Sequence, residues 1–265
     1  DFMKRLDALV DLAFSSLALK RKTLERLTRE GLFPYSAFYL GDMHKRLGSY
    51  WANHFSTLGI VGMHEAAMNL FGVGLESTRG HAFGVSVLEH LRERIRAEQL
   101  RTDVLFNLEA TPAEGTSYRL ARLDQERFGA AIYQSGNRAA TSERYYTNST
   151  HLPVGATDDM FVALNHQERL QALYTGGTVF HAFLGEALDN PWAARTLVRK
   201  ISNQFAIPYF TLTPTFTICP VHGYISGAHF KCPYHDDTDS PGEGREAADA
   251  GATAAVIPLR SQANP

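Results

Sequence analysis

Residues 103–124 read DVLFNLEATPAEGTSYRLARLD, and this stretch decides the fold class. Its first half, rich in apolar and β-prone side chains, suits a buried strand. Thr111, Pro112 and Glu114 then mark a helix start, with Thr at the N-cap, Pro at the first helical position and Glu three residues after the cap. A strand running directly into a capped helix is the elementary unit of an α/β domain.

The flanking sequence repeats the pattern. Apolar side chains at Phe2, Leu6, Leu9, Ala13, Leu17, Leu24 and Leu27 predict a helix from residue 2 to about 29, with Gly31 as its C-cap. STLGIVGMHEAAMNLFG, residues 56–72, predicts a turn or short strand entering a helix that stops at Gly72. Residues 81–100 predict an amphipathic helix with Val85, Val87, Leu88 and Leu91 inward. Thr157 before Asp158 and Asp159 opens another, ending at Gly176-Gly177, and Asn190-Pro191 opens one through about Asn203. Residues 206–213, AIPYFTLT, suit a strand. Strands alternating with helices give an α/β class.

Composition narrows the function. The chain has 265 residues, 44% of them hydrophobic, enough for one large core with at most a small appendage. A formal charge of -2 offers no general attraction to nucleic acid or an anionic membrane, and no basic stripe is visible. No apolar run is long enough to span a bilayer and no secretory leader is visible, so a cytoplasmic location is the expectation. The chain starts at Asp1 within what reads as a helix, which suggests a fragment or a processed chain.

The two cysteines stand in paired motifs, Cys219-Pro-Val-His222 and, after nine residues, Cys232-Pro-Tyr-His235. Each half puts two metal-compatible donors three residues apart on a tight knuckle, and the two halves together supply a tetrahedral set suited to structural Zn2+. A disulfide, or cysteines and histidines binding nothing, is the plainer alternative, and His229 is a possible substitute for His222. A second candidate is the helix start after the 103–110 strand. Free backbone N–H groups there, with Gly115, Thr116 and Ser117 nearby, make a phosphate cradle; a simple capping box is the commoner use of such residues. Glu109 is either an acid or base in a pocket or a solvated strand end. The polar run YYTNSTHLPV, residues 145–154, is a functional loop or merely a hydrogen-bonded turn. In YTGGTVFH, residues 174–181, the glycines let backbone approach a ligand or simply end a helix, and His181 reads most simply as a satisfied core histidine.

Taken in order, STLGIVGMHEAAMNLFG, NLEATPAEGTSYRLA (107–121), YTNSTHLPV (146–154), YTGGTVFH and TPTFTICPVHGYISGAHFKCPYH (213–235) resemble the oxygen-sensitive, anaerobic ribonucleoside-triphosphate reductases of the glycyl-radical family. The likeness runs from near residue 1 to about 235. It implies the later part of a ten-stranded α/β barrel over 1–212 and a zinc-binding knuckle over 213–235; the composition of 236–265 adds the expectation of a disordered or frame-shifted tail. It also implies reduction of ribonucleoside triphosphates to deoxyribonucleotides, through a glycyl radical installed by an S-adenosylmethionine iron–sulfur activase and a cysteine thiyl radical. A homodimer is implied for the intact protein, together with an ATP-binding cone upstream. On the matching positions, Cys219, His222, Cys232 and His235 would hold zinc, although the family commonly has cysteine at the last and often at the second. Asn107, Glu109, Thr111, Glu114, Gly115, Thr116, Ser117, Asn148 and Ser149 would lie beside the substrate. His64 stands where the family pattern GMNEA has asparagine.

Two departures qualify the likeness. No Arg-x-x-Gly-Tyr motif follows His235, and none of Gly242, Gly244 or Gly251 has that context. Both cysteines are zinc candidates, leaving none for the thiyl radical. The composition changes abruptly at Asp236, becoming rich in Ala, Asp, Gly and Pro, which motivates the frame-shift expectation. The competing account is a non-catalytic nucleotide- and zinc-binding remnant or regulatory protein. A nucleic-acid-binding knuckle is weaker, because basic and aromatic residues do not cluster around 219–235.

Overall fold

The computed structural model describes residues 1–136, 144–153, 156–184, 188, 190–214, 216–219 and 223–226. They divide between two compact units, the first comprising Asp1–Val179 with Phe205–Tyr209 and the second Phe180–Gln204 with the chain from Phe210 onward.

The first unit opens with α1 (Phe2–Arg29), the helix the apolar spacing predicts. It ends in a Schellman turn: Gly31 takes φ +85°, its N–H donates to Thr28 O, and the Leu32 N–H donates to Leu27 O. Two short helices, α2 (Pro34–Tyr39) and α3 (Gly41–Leu47), follow. The next segment is tied back to α1. The Glu25 carboxylate accepts from the backbone N–H groups of Tyr50 and Trp51 and from the Ser49 hydroxyl, while Arg21 donates to the Trp51 and His54 carbonyls and to Ser56.

Strand β1 (Ser56–Gly59) leads through α4 (Met63–Phe71) and α5 (Thr78–Thr102) to β2 (Phe106–Glu109). The strands pair in parallel, with Ser56 opposite Phe106 and Gly59 opposite Glu109. Gly72 ends α4 in the left-handed conformation, as its position predicts. Ser77 caps α5, which is longer than its apolar pattern indicated, and Val85, Val87, Leu88 and Leu91 are buried as expected. Those side chains pack with Leu58, Phe106 and Leu108 and with Val10 and Phe14 of α1. The Phe14 and Phe106 rings meet edge to face at 5.2 Å.

The helix after β2, α6 (Glu114–Phe128), begins later than the capping-box reading has it. Its N-cap is Ala113, held at φ +46° with no side-chain cap; Thr111 lies outside the helix with its side chain against Gly59. A 3-10 turn, Gly129–Ala131, follows. Helix α7 (Met160–Gln171) is capped by Asp159, whose carboxylate accepts from the Phe161 and Val162 N–H groups, rather than by Thr157, which accepts from Asp159 N–H. It stops short of the double glycine, because residues 175–177 are drawn alongside β2: Leu108 O accepts from the N–H of Thr175 and Gly176, and Ala110 N–H donates to Gly177 O.

In the second unit β3 (Phe180–Leu184), which the sequence reading did not anticipate, pairs in parallel with β4 (Phe210–Pro214). Between them in the chain runs α8 (Pro191–Gln204), starting where Asn190-Pro191 predicts, with Asn190 Oδ1 accepting from Trp192 N–H. The strand expected over 206–213 starts four residues later. Strands β5 (Phe216–Cys219) and β6 (Gly223–Ser226) form an antiparallel hairpin with Cys219 opposite Gly223. Among the described residues no helix is long and apolar enough to cross a membrane.

Candidate functional site

Alternation along β1 and β2 sends Ser56, Leu58, Phe106 and Leu108 into the helical core. Thr57, Gly59, Asn107 and Glu109 therefore face the other way, onto a side that α4 and α5 leave uncovered. The register sets Thr57 beside Asn107 and Gly59 beside Glu109. On the far side of β2 stand Gly176 and Gly177. A Cβ on Gly176 would lie 2.9 Å from Asn107 Nδ2, and one on Gly177 would lie 3.5 Å from the Glu109 carboxyl carbon. A Cβ on Gly59 would meet Thr111 Cγ2 at 2.7 Å. Glu109 thus stands between Gly59 and Gly177, and Asn107 between Thr57 and Gly176, on a shelf partly of bare backbone. Asn107 Oδ1 is buried and has no hydrogen-bond partner among the described residues.

The rim of the shelf at the C-terminal ends of the strands is the polar loop 146–151. Ser149 is fully buried at φ +43°, a left-handed conformation that costs a non-glycine residue about 1 kcal/mol. Its hydroxyl lies 3.0 Å from Ile60 O, 3.1 Å from Thr111 O and 2.9 Å from the Asn148 carboxamide. One hydroxyl carries one proton, so these contacts are best satisfied when Asn148 turns its NH2 towards Ser149 and its carbonyl away. Ser117 is likewise buried. Its hydroxyl donates to Tyr146 O and accepts from Tyr146 N–H at 3.0 Å, which makes it a brace between α6 and the loop. Gly115 and Thr116 are exposed in the first turn of α6, where backbone N–H groups lack intrahelical partners.

Tyrosines support the loop. Burial, with the hydrogen bond to Asp124, pushes the Tyr146 phenol up to about 12. Burial also raises Tyr174, whose hydroxyl meets Thr150 Oγ1 at 3.0 Å. A further buried chain links loop to helix. Gln167 Nε2 donates to Thr150 O at 3.0 Å, Gln171 donates to Gln167, and Thr178 donates to Gln171.

The structure thus brings Asn107, Glu109, Thr111, Asn148 and Ser149 together around one shelf. It places Gly115 and Thr116 at the neighbouring helix start and gives Ser117 a supporting position. The side chains of Gln167, Gln171 and Glu65 belong to the same neighbourhood and escape a sequence reading, because an isolated glutamine or helical glutamate has no motif of its own. His181 is exposed on β3, its Nδ1 within 3.0 Å of Thr211 Oγ1, not a core histidine. Of the zinc candidates, Cys219 ends β5, while His222, Cys232 and His235, like the tail from residue 236, lie outside the described residues. Among the described residues no group of three or more His, Cys, Asp or Glu side chains could hold a metal ion.

Comparisons with known proteins agree on one family. The family model for anaerobic ribonucleoside-triphosphate reductase matches residues 1–240. The enzyme of that name from Haemophilus influenzae is 30% identical over 131 residues, 46% of this chain and 17% of its own. That of Enterobacteria phage T4 is 27% identical over 134 residues, 51% of this chain and 20% of its own. The Thermotoga maritima anaerobic ribonucleotide reductase, solved with MES in the active site, superposes with a TM-score of 0.65 at 22% identity, over 85% of this chain and 35% of that one. The same enzyme in complex with dATP and CTP gives 0.64 at 21% identity, over 85% of this chain and 35% of that one. The chain spans a fifth or less of the length of these curated relatives and about a third of the solved chain. With nearly its whole described length covered by that match, the chain belongs to the anaerobic ribonucleoside-triphosphate reductase family.

Proposed function

We propose that the glycine-flanked shelf binds a ribonucleoside triphosphate for reduction to the deoxyribonucleotide. The observation that carries this reading is the placement of Asn107 and Glu109 on the helix-free face of parallel strands, with Thr111, Asn148 and Ser149 at the strands' C-terminal ends. In α/β barrels helices coat the outside, so a helix-free face lines the interior, and ligands gather at the C-terminal ends of the strands. This chain then supplies the later part of such a barrel.

Within the site, the unpartnered Asn107 Oδ1 and the outward Asn148 carbonyl accept from ribose hydroxyls. Glu109 offers a carboxylate on the same face, suited to holding or moving a proton at the sugar. The first turn of α6, at Gly115 and Thr116, meets the phosphates through its N–H groups and the positive end of the helix dipole. In the intact family the glycyl radical, installed by the activase, supplies hydrogen abstraction through a cysteine; the residues here bind, orient and exclude water around that chemistry. The pairing of Cys219 with Gly223 supports a structural zinc knuckle, because it puts the first cysteine of the paired motifs at the end of a hairpin strand. Homodimerisation and a cytoplasmic location complete the proposal.

A second reading is a non-catalytic nucleotide- and zinc-binding protein. It would use the same shelf and the same Cys219 and Cys232 motifs without the radical step. Amide-resolved NMR during titration with a ribonucleoside triphosphate tests the binding site common to both. Saturable shifts at 107–111, 115–116, 147–149 and 175–177 are expected; shifts confined elsewhere overturn the placement.

A further inference from the structure

Glu65 is 1% exposed, in the first turn of α4, apart from the residues proposed to meet the nucleotide. Its Oε1 accepts from Thr147 N–H at 3.0 Å, from the Thr147 hydroxyl at 2.6 Å and from the Ser135 hydroxyl. Its Oε2 has no partner among the described residues. The loop answers in the opposite sense: Gly62 N–H donates to Thr147 O at 2.8 Å, and Met63 N–H donates to Ser149 O at 3.1 Å. The start of α4 and residues 147–149 therefore exchange hydrogen bonds in both directions, with Asn148 bridged to Val61 in the middle.

Such a contact is costly to maintain. A buried carboxylate with one bare oxygen carries a desolvation penalty that the helix N-terminus only partly offsets. Ser149, two residues from Thr147, sits in a left-handed conformation that a serine leaves when nothing compels it. A strained residue persists where its neighbours over-determine it, and the bonds from Thr147 and Ser149 to α4 confine this one together with its hydroxyl's contacts to Ile60 O and Thr111 O. The glutamate sits on the segment that follows β1, so it couples the loop to the sheet that carries Asn107 and Glu109.

We infer that Glu65 is a positioning residue: its carboxylate clamps residues 147–149 to the start of α4, and so holds Asn148 and strained Ser149 at the rim of the nucleotide shelf. The inference deepens the proposed function and rests on it for what the loop is positioned to bind. Glu65 touches no ligand itself. Its effect on binding passes through Ser149.

The test combines amide hydrogen exchange with ATP affinity in the full chain, for the wild type, Glu65→Ala, Ser149→Ala and the double variant. Glu65→Ala should speed exchange at the Thr147 and Met63 amides on the order of tenfold, while Leu58 and Leu108 stay protected. It should weaken ATP binding, and Ser149→Ala added to it should cost nothing more, because Ser149 is already displaced. Thr147→Val, which removes one donor and leaves the core intact, should move the same amides in the same direction by less, and it carries the test if Glu65→Ala does not fold. Unchanged exchange at Thr147, an increase shared by every amide, or strictly additive affinity losses would each overturn the clamp. If the wild type binds no ATP, the nucleotide reading fails by itself, and exchange at Thr147 relative to Leu108 still decides for or against Glu65.

Discussion

Gly176→Ala is the most exacting single perturbation of the site. Gly176 has no positive φ, so alanine is permitted by the backbone and the question is purely one of space. The new Cβ would lie 2.9 Å from Asn107 Nδ2, 3.1 Å from Asn107 Cγ and 3.1 Å from Leu108 O. Two relaxations are open. Asn107 can rotate away, an overpacking response that costs about 1–3 kcal/mol. Alternatively, residues 175–177 can withdraw from β2 and weaken the bonds from Thr175 and Gly176 N–H to Leu108 O, at 3.1 and 2.7 Å, each contributing about 0.5–1.5 kcal/mol. Both routes converge on a loss of about 1–3 kcal/mol. Either way Asn107 no longer meets the ligand as before, and loss of one neutral hydrogen bond weakens nucleotide binding roughly 2- to 10-fold. Gly115→Ala is the contrast: nothing lies within 4 Å of its Cβ, so it should be neutral or stabilise α6 by up to about 1 kcal/mol. Urea unfolding followed by Trp51 fluorescence in a Trp192→Phe background reads the first unit alone. If Gly176→Ala unfolds with wild-type free energy and binds nucleotide as tightly as the parent, the packed shelf is wrong.

Other consequences follow from the same geometry. Tyr146, at about 12, and Tyr174, also raised, ionise more readily when unfolded than when folded. Stability should therefore hold below the ordinary tyrosine range near pH 10 and fall as pH rises towards 12, with Tyr146→Phe flattening part of the decline in pH-dependent urea midpoints. Arg21→Lys should destabilise by about 1.5–3 kcal/mol in thermal melts, because a lysine cannot reproduce the fork that reaches Trp51 O, His54 O and Ser56. Cys219→Ser or Cys232→Ser should release bound zinc, measured by metal analysis, and speed exchange over 213–226; unchanged zinc in both variants refutes the knuckle.

The sequence made some features plain and hid others for identifiable reasons. Helix α1, α4 and the start of α8 were legible because spacing, Gly72 and Asn190-Pro191 act locally. The start of α6 was misplaced because a tertiary contact, Thr111 against Gly59 with its carbonyl near Ser149, removes Thr111 from capping and leaves Ala113 to turn the chain. The end of α7 was overestimated because Leu108 O, distant in sequence, captures the N–H groups of Thr175 and Gly176. Asn107, Glu109, Asn148 and Ser149 entered as expectations, but that Asn107 and Glu109 share one face needed the parallel register of β1 and β2, and that the loop reaches its rim needed the bonds of Ser149 to Ile60 and Thr111. Glu65 was invisible, since its role depends on a loop some eighty residues away.

The central claim is that the shelf holds a ribonucleoside triphosphate, and calorimetric titration of the wild type, Asn107→Ala and Ser149→Ala with ATP tests it most directly. The account predicts saturable binding by the wild type, weakened several-fold by Asn107→Ala through loss of a ligand hydrogen bond and by Ser149→Ala through release of the loop that holds Asn148 at the rim. No binding by a folded wild type, or equal affinity in all three proteins, would contradict it.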